Sequence, residues 1–231
     1  KQGEMVGLMI HLGVRLGLYR ALDGAGPVTS VDLAVATGLH ERWLREWLRS
    51  QAAAELLASE DGETFLLEPE AAMVLARTDQ PTYAAGVFAR QRDPAVADAL
   101  VEAFRTGLGL TYDDQGEGSE EHVEAMLAPM ARALLVPAVI PLLDGVVERL
   151  TDGARVVDVG CGAGLALELL AEAFPASTYE GYDVSERAIE AAKQRFAGSD
   201  NVTVYLAGGE EVPPTGDVDL MLTLDCLHDM P

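Results

Sequence analysis

Lysine is nearly absent. Only Lys1 and Lys193 stand among 16 basic residues, against 38 aspartates and glutamates, for a formal net charge of −22. A chain of that sign has no general affinity for nucleic acid or for an anionic membrane, because both need a cationic face. Cysteine is scarce as well. Cys161 and Cys226 make neither a disulfide framework nor a metal site, and they suit a reducing cytoplasm. No apolar run reads as long enough to span a bilayer, and no signal peptide precedes the first helix. What is present is 231 residues with 49% hydrophobic content, enough to bury a core and leave room for a second small domain.

The chain is organised around residues 155–164, RVVDVGCGAG. Val156 to Val159 reads as a buried strand, and the glycines that follow allow a tight turn and a close approach to a ligand. Leu165 to Phe174 has apolar residues at helical spacing, and Pro175 stops it. Strand, glycine loop and helix N-terminus together are how an α/β sheet presents a nucleotide site. A dinucleotide fingerprint needs G-x-G-x-x-G. From Gly160 the third position is Leu165, and from Gly162 it is Leu167, so both frames fail. The next strand, Thr178 to Tyr182, ends in Asp183, where an acid can accept both ribose hydroxyls of an adenosine. Ser185 then caps a helix from Glu186 to Phe196, with Gly198 beyond its end.

The pattern D-x-G-x-G-x-G, from Asp158 through Gly160, Gly162 and Gly164, resembles the first motif of the class I S-adenosylmethionine (SAM)-dependent methyltransferases. In that family the loop runs beside the methionine part of the cofactor, which carries an ammonium and a sulfonium. An acid suits those cations and would repel a pyrophosphate. The resemblance implies SAM as cofactor, held by Asp158, Gly160, Cys161, Gly162 and Gly164, with Asp183 on the ribose and Val184 next to it. A third strand, Val202 to Leu206, leads to Gly208, also in the implied cofactor set. Many family members place an acid there for the adenine amino group. Here Gly208 and Gly209 stand in its place, so the adenine contact stays open between the backbone and Glu210.

Asp219 to Leu224 reads as a fourth strand, which in a doubly wound sheet neighbours the first across the switch point. The stretch Asp225-Cys226-Leu227-His228-Asp229 follows. A His-Asp pair there resembles that of the plant-type O-methyltransferases. The resemblance implies His228 as general base, with Asp229 its partner, and Asp225 nearer the cofactor's methionine end. Methyl transfer from a sulfonium is an in-line displacement that depends on alignment, and a neutral acceptor must also lose a proton. A phenol, near pKa 10, gives it up to an imidazole far more readily than an aliphatic alcohol does. A phenolic hydroxyl is therefore the favoured acceptor.

Upstream, Met5, Leu8, Met9, Leu12, Leu16 and Tyr19 fall at helical steps, with Gly13 and Gly17 on the same helix suggesting a close helical neighbour. Helix (Val31 to Ala36), turn, helix (His40 to Leu57), wing (Ser59 to Leu67) and helix (Glu68 to Ala76) make the layout of a winged helix. Arg42, Arg45 and Arg49 are offset by Glu41, Glu46 and Glu55, and the wing holds Glu60, Asp61 and Glu63, which argues against DNA. The layout resembles the N-terminal domain of small-molecule O-methyltransferases, which pairs subunits and roofs the active site. Thr82 to Arg105 reads as helix, 107–118 as a glycine- and acid-rich loop suited to a lid, and Glu120 to Leu135 as helix again.

The fold class expected is α/β, a Rossmann-like doubly wound sheet visible through its fourth strand and preceded by a helical winged-helix domain. The expected domains are a winged-helix dimerisation or cap domain (1–80), a helical linker with a candidate lid (81–145), and a SAM-binding domain (146–231). Such a sheet usually has seven strands, so the residues at hand are read as part of a longer chain. The expected partners are a small-molecule methyl acceptor and a second copy joined through the N-terminal helices, with no nucleic acid and no membrane. Two alternatives remain at this point: a winged-helix transcriptional regulator with a ligand-sensing methyltransferase-like domain, and a non-catalytic dimeric scaffold.

Overall fold

The computed structural model describes residues 2–90 and 93–230, which fall into two units divided after residue 91. In the first unit the long N-terminal helix expected from apolar spacing is two helices, α1 (Gln2–Arg15) and α2 (Leu18–Leu22). Gly17 lies between them at φ 67° and turns the chain. The buried face also differs from the expected stripe. Ile10 and Gly13 are buried, whereas Met5, Leu12 and Leu16 are exposed. Gly13 does admit a close neighbour: an added Cβ would stand 2.6 Å from the Tyr19 ring and 2.7 Å from that of Trp47.

A two-residue strand, β1 (Val28–Thr29), leads into α3 (Ser30–Thr37), whose N-terminus is closed by a reciprocal Thr29–Asp32 capping box. After Gly38 comes α4 (Glu41–Ala53), which buries Leu44, Trp47 and Leu48. It stops short of the expected Leu57, at a turn where Glu55 takes φ 60°. The wing is formed by β2 (Thr64–Phe65), antiparallel to β1, and by a bridge between Ala58 and Leu66. Then α5 (Pro69–Leu75) starts on its proline. The arginines of α4 are neutralised locally, Arg42 by Glu46, Arg45 by Glu41 at 2.7 Å, and Arg49 by Glu63 of the wing.

The expected helix over 82–105 is instead a 3₁₀ turn (Ala85–Phe88) and a separate α6 (Pro94–Thr106). Asp93 caps α6 by accepting the Ala95 N–H at 2.8 Å, and Pro94 is fixed in its first turn. Residues 91 and 92 lie outside the described ones. The 107–118 loop contains a short 3₁₀ turn (Asp113–Gln115) and precedes α7 (Ser119–Leu134), which runs on through a π turn (Leu135–Val139) and a 3₁₀ turn (Ile140–Leu142). This continuity corrects one expectation. The run Ser119–Leu142 is 24 residues of helix with a window of mean hydropathy 1.8, long and apolar enough by length and composition to cross a membrane. Pro129 and Pro137 do not end it, so the helix expected over 120–135 runs on to Leu142. Its buried residues Ala128, Pro129 and Leu135 face the rest of the second unit.

After α8 (Val146–Asp152) the chain alternates regularly: β3 (Arg155–Val159), α9 (Leu165–Ala173), β4 (Thr178–Asp183), α10 (Glu186–Arg195), β5 (Val202–Leu206) and β6 (Leu220–Leu222). The strands form one parallel sheet in the order β5-β4-β3-β6. As expected, the fourth of these strands lies beside the first, though it is shorter than the 219–224 read from the sequence. Val156, Leu167, Leu170, Tyr179 and Ile189 fill the core between sheet and helices.

Candidate functional site

Parallel pairing brings the C-terminal ends of β3, β4 and β6 to one edge, and the glycine loop sits there. Its backbone is tied down by its neighbours. The N–H groups of Gly160 and Cys161 both donate to the Tyr182 carbonyl, at 2.7 and 3.1 Å, and Gly164 N–H closes the turn on the Cys161 carbonyl at 2.9 Å. Gly162 N–H donates to Oδ2 of Asp183 at 2.8 Å, while Oδ1 of the same carboxylate accepts Ser185 N–H at 2.9 Å. Each carboxylate oxygen keeps a second lone pair, so Asp183 is still able to accept from a ligand's hydroxyls.

The glycines at 160 and 164 are required by both conformation and space. Gly160 has φ 76° and an added Cβ would lie 2.6 Å from the Cys226 side chain; Gly164 has φ 86° and would meet the Phe196 ring at 2.5 Å. Around Gly162 an added Cβ would meet nothing within 4 Å, so that glycine borders open space. Gly160→Ala should therefore destabilise the protein by about 2–4 kcal/mol, combining left-handed strain with overpacking. Urea unfolding monitored by circular dichroism checks this.

Asp158 lies below the loop, 2% exposed, with Oδ1 lacking any hydrogen-bond partner among the described residues. Burial, and then the charge of Asp183, push its pKa up to about 7. A buried acceptor left open is costly unless a donor or cation meets it. Cys161 has its side chain buried against Gly181 and Leu167, and burial pushes the thiol pKa upward. What it offers a ligand is backbone.

Val184, beside Asp183, is 70% exposed, an apolar side chain standing open at the strand end. Gly208 is engaged in a turn of its own, donating to Oε1 of Glu211 at 3.1 Å, with the Glu210 carboxylate packed over it. Asp225 takes φ 54° and is exposed. The turn after β6 is fastened to β3 by the Cys226 thiol, 3.0 Å from the Val159 carbonyl. His228 lies on the 3₁₀ turn Leu227–Asp229, largely exposed, with Nδ1 3.8 Å from Oδ1 of Asp225. The side chain of Asp229 lies outside the described residues. The acid seen near His228 is thus Asp225, three positions earlier.

Three further residues were not legible in the sequence as parts of this edge. Asp113 reaches Ser185 and Glu186, and Arg195 joins the Ala163 carbonyl to Glu124. Only the acidity of the 107–118 loop hinted at the first.

Residues 4–77 match the family model of an Rv2258c-like winged HTH domain, and residues 156–231 match that of a methyltransferase domain. The chain is a winged-helix domain followed by a methyltransferase domain. Among curated relatives, the 8-amino-8-demethylriboflavin N,N-dimethyltransferase of Streptomyces davaonensis is 30% identical over 204 residues, 83% of this chain. The chain spans 58% of the length of that relative. Two solved structures share its fold. The mitomycin 7-O-methyltransferase MmcR matches with a TM-score of 0.65 at 24% identity, over 100% of this chain and 70% of that one. Human N-acetylserotonin methyltransferase, solved in complex with SAM, matches with a TM-score of 0.60 at 19% identity, over 99% and 69%. The α/β unit with its parallel sheet is of the Rossmann-like methyltransferase type.

Proposed function

We propose that the protein transfers a methyl group from S-adenosylmethionine to a small-molecule acceptor, a phenolic hydroxyl, with His228 as general base. The observation that supports this most is the buried Asp158 carboxylate, open at Oδ1 beneath the glycine loop. A site made of two carboxylates, Asp158 and Asp183, suits a cationic nucleoside and disfavours a pyrophosphate. In this reading Asp158 faces the ammonium end, Asp183 takes the ribose hydroxyls, and Val184 lies against the adenine. Gly160, Gly162, Gly164 and the Cys161 backbone shape the hollow, and Gly208 with Glu210 borders its adenine end.

When bound, the cofactor supplies a methyl group on a sulfonium, ready for displacement. The protein's part is alignment and proton removal. Nδ1 of His228 needs to close on Asp225 by about 1 Å to make a hydrogen bond that would orient the ring. The other ring nitrogen then takes the acceptor's proton, leaving an imidazolium paired with a carboxylate.

An amine is the second acceptor worth testing, since the curated relative is named as an N,N-dimethyltransferase. A DNA-reading role is disfavoured, because the arginines of α4 are each paired with glutamate. The exposed Met5 and Leu12 of α1, with Leu16 just beyond it, support pairing of two copies through the N-terminal helices. Cys161 and Cys226 are not joined in a disulfide, which fits a reducing cytoplasm.

The test is calorimetric titration with SAM, followed by a methyl-transfer screen over phenols, catechols, amines and thiols. His228→Ala should lower kcat by about a hundredfold or more while SAM affinity stays as in the parent protein. Turnover unaffected by that substitution would remove His228 from the mechanism. Failure to bind SAM would remove the whole reading.

A further inference from the structure

Two side-chain links join the stretch 111–124 to the loops that frame the cofactor hollow. The first comes from the 3₁₀ turn in the 107–118 loop. Oδ1 of Asp113 accepts the Ser185 hydroxyl at 2.6 Å and Oδ2 accepts Glu186 N–H at 3.1 Å, across 72 residues of sequence. Ser185 N–H in turn holds Asp183, and Asp183 holds Gly162 N–H. A continuous chain of hydrogen bonds thus runs from Asp113 to the glycine loop. The Asp113 turn is itself stiffened, since Thr111 donates through N–H and hydroxyl to Asp114 at 2.8 and 2.7 Å.

The second link comes from α7. Glu124 receives Nη2 of Arg195 on both carboxylate oxygens at 2.7 Å, while Nη1 of the same guanidinium donates to the Ala163 carbonyl at 2.7 Å. Nε lies 3.6 Å from Glu168 on α9. The arginine and Glu124 are only about one-fifth exposed, so solvent screens the pair less than a surface bridge. Ala163 stands between Gly162 and Gly164, and fixing its carbonyl fixes the peptide that the two flexible neighbours would otherwise let rotate.

We propose that residues 111–124 form a strap that positions both cofactor loops, with Asp113 and the Glu124–Arg195 pair as its two fastenings. The two fastenings bond to Ser185, to Glu186 and to the Ala163 carbonyl rather than to the loop glycines. Both are positioning residues, acting through Ser185–Asp183 and through the Ala163 carbonyl. This deepens the proposed SAM site and rests on that reading for its ligand, but the strap has a readout of its own.

The full chain is compared with Asp113→Ala, Glu124→Ala and the double variant by hydrogen–deuterium exchange and by SAM titration. Exchange is followed in peptides covering 160–164 and 184–186, without cofactor. The double variant should exchange about tenfold faster in those peptides, with β4 and β5 unchanged, and SAM should bind about tenfold more weakly, as expected for loss of charge-assisted bonds. Asp113→Asn, which keeps one acceptor oxygen for Ser185, should recover part of the loss. Wild-type exchange at 160–164 in a folded double variant overturns the strap, and so does faster exchange spread evenly over the sheet. Where the alanine variants do not fold, Asp113→Asn with Glu124→Gln is measured instead, and wild-type exchange there overturns it equally. A wild-type chain that does not bind SAM would sink the proposed function, while the exchange rates would still decide the strap.

Discussion

Asp158→Asn should make the ligand-free protein more stable at pH 8 and a poorer binder of SAM. A carboxyl whose folded-state pKa is raised supports the fold fully below its unfolded value of about 3.9, and that support is lost as pH rises toward about 7. At pH 8 the wild-type protein therefore holds a buried negative charge close to Asp183. Removing it should recover roughly 2–4 kcal/mol, a rise in Tm on the order of 5–10 °C. At pH 4 the two proteins should melt together, apart from the small cost of burying an amide. Calorimetric melts from pH 4 to 8 measure this, and a wild-type and variant pair with parallel pH profiles would show that folding does not raise the Asp158 pKa. SAM should bind the variant at least tenfold more weakly, since an ammonium loses its ionic partner. A residue whose removal stabilises the protein and weakens its ligand is kept for the ligand.

Asp183→Ala should have the largest effect on cofactor binding. The substitution removes the acceptor for Gly162 N–H and Ser185 N–H together, as well as the group proposed to take the ribose hydroxyls. Losing hydrogen bonds to a charged acceptor, each worth about 1.5–3 kcal/mol, predicts a fall in SAM affinity of about a hundredfold or more. Asp183→Asn keeps one acceptor oxygen and should lie between. Titration calorimetry at 25 °C separates this from unfolding, provided far-ultraviolet circular dichroism shows the helices intact. Affinity within threefold of the wild type would remove Asp183 from the site.

The βα units were the most legible part of the molecule. From Arg155 to Leu206, each strand and helix ends within a residue or two of where hydrophobic period, glycine and cap residues place it, because neighbours in sequence are neighbours in space there. The errors lie where that locality fails. The apolar spacing of α1 suggested a face containing Met5, Leu12 and Leu16, yet these are exposed and the burial is at Ile10 and Gly13. The packing that decides the face comes from Trp47 and Tyr19, beyond what a helical period can register. Asp93-Pro94 was a readable helix start, and treating 82–105 as one helix passed over it. The helix after Ser119 was read as ending at Leu135 and continues through Pro137 to Leu142. The D-x-G-x-G-x-G loop and Asp183 were recognisable because their spacing follows from backbone geometry alone. Asp113 and the Arg195–Glu124 pair were not, because their partners stand some seventy residues away and no local pattern marks them.

The glycine loop is bonded to the Tyr182 carbonyl and the Asp183 carboxylate, so the chain's own hydrogen bonds fix its shape. A preorganised cradle gives up little conformational entropy when it is filled. Its association rate should accordingly be limited by diffusional encounter and desolvation, with no slow isomerisation preceding capture. For the proposed cofactor, selectivity between the sulfonium nucleoside and its demethylated product would then come from charge, since a cradle of fixed shape has little else with which to tell them apart.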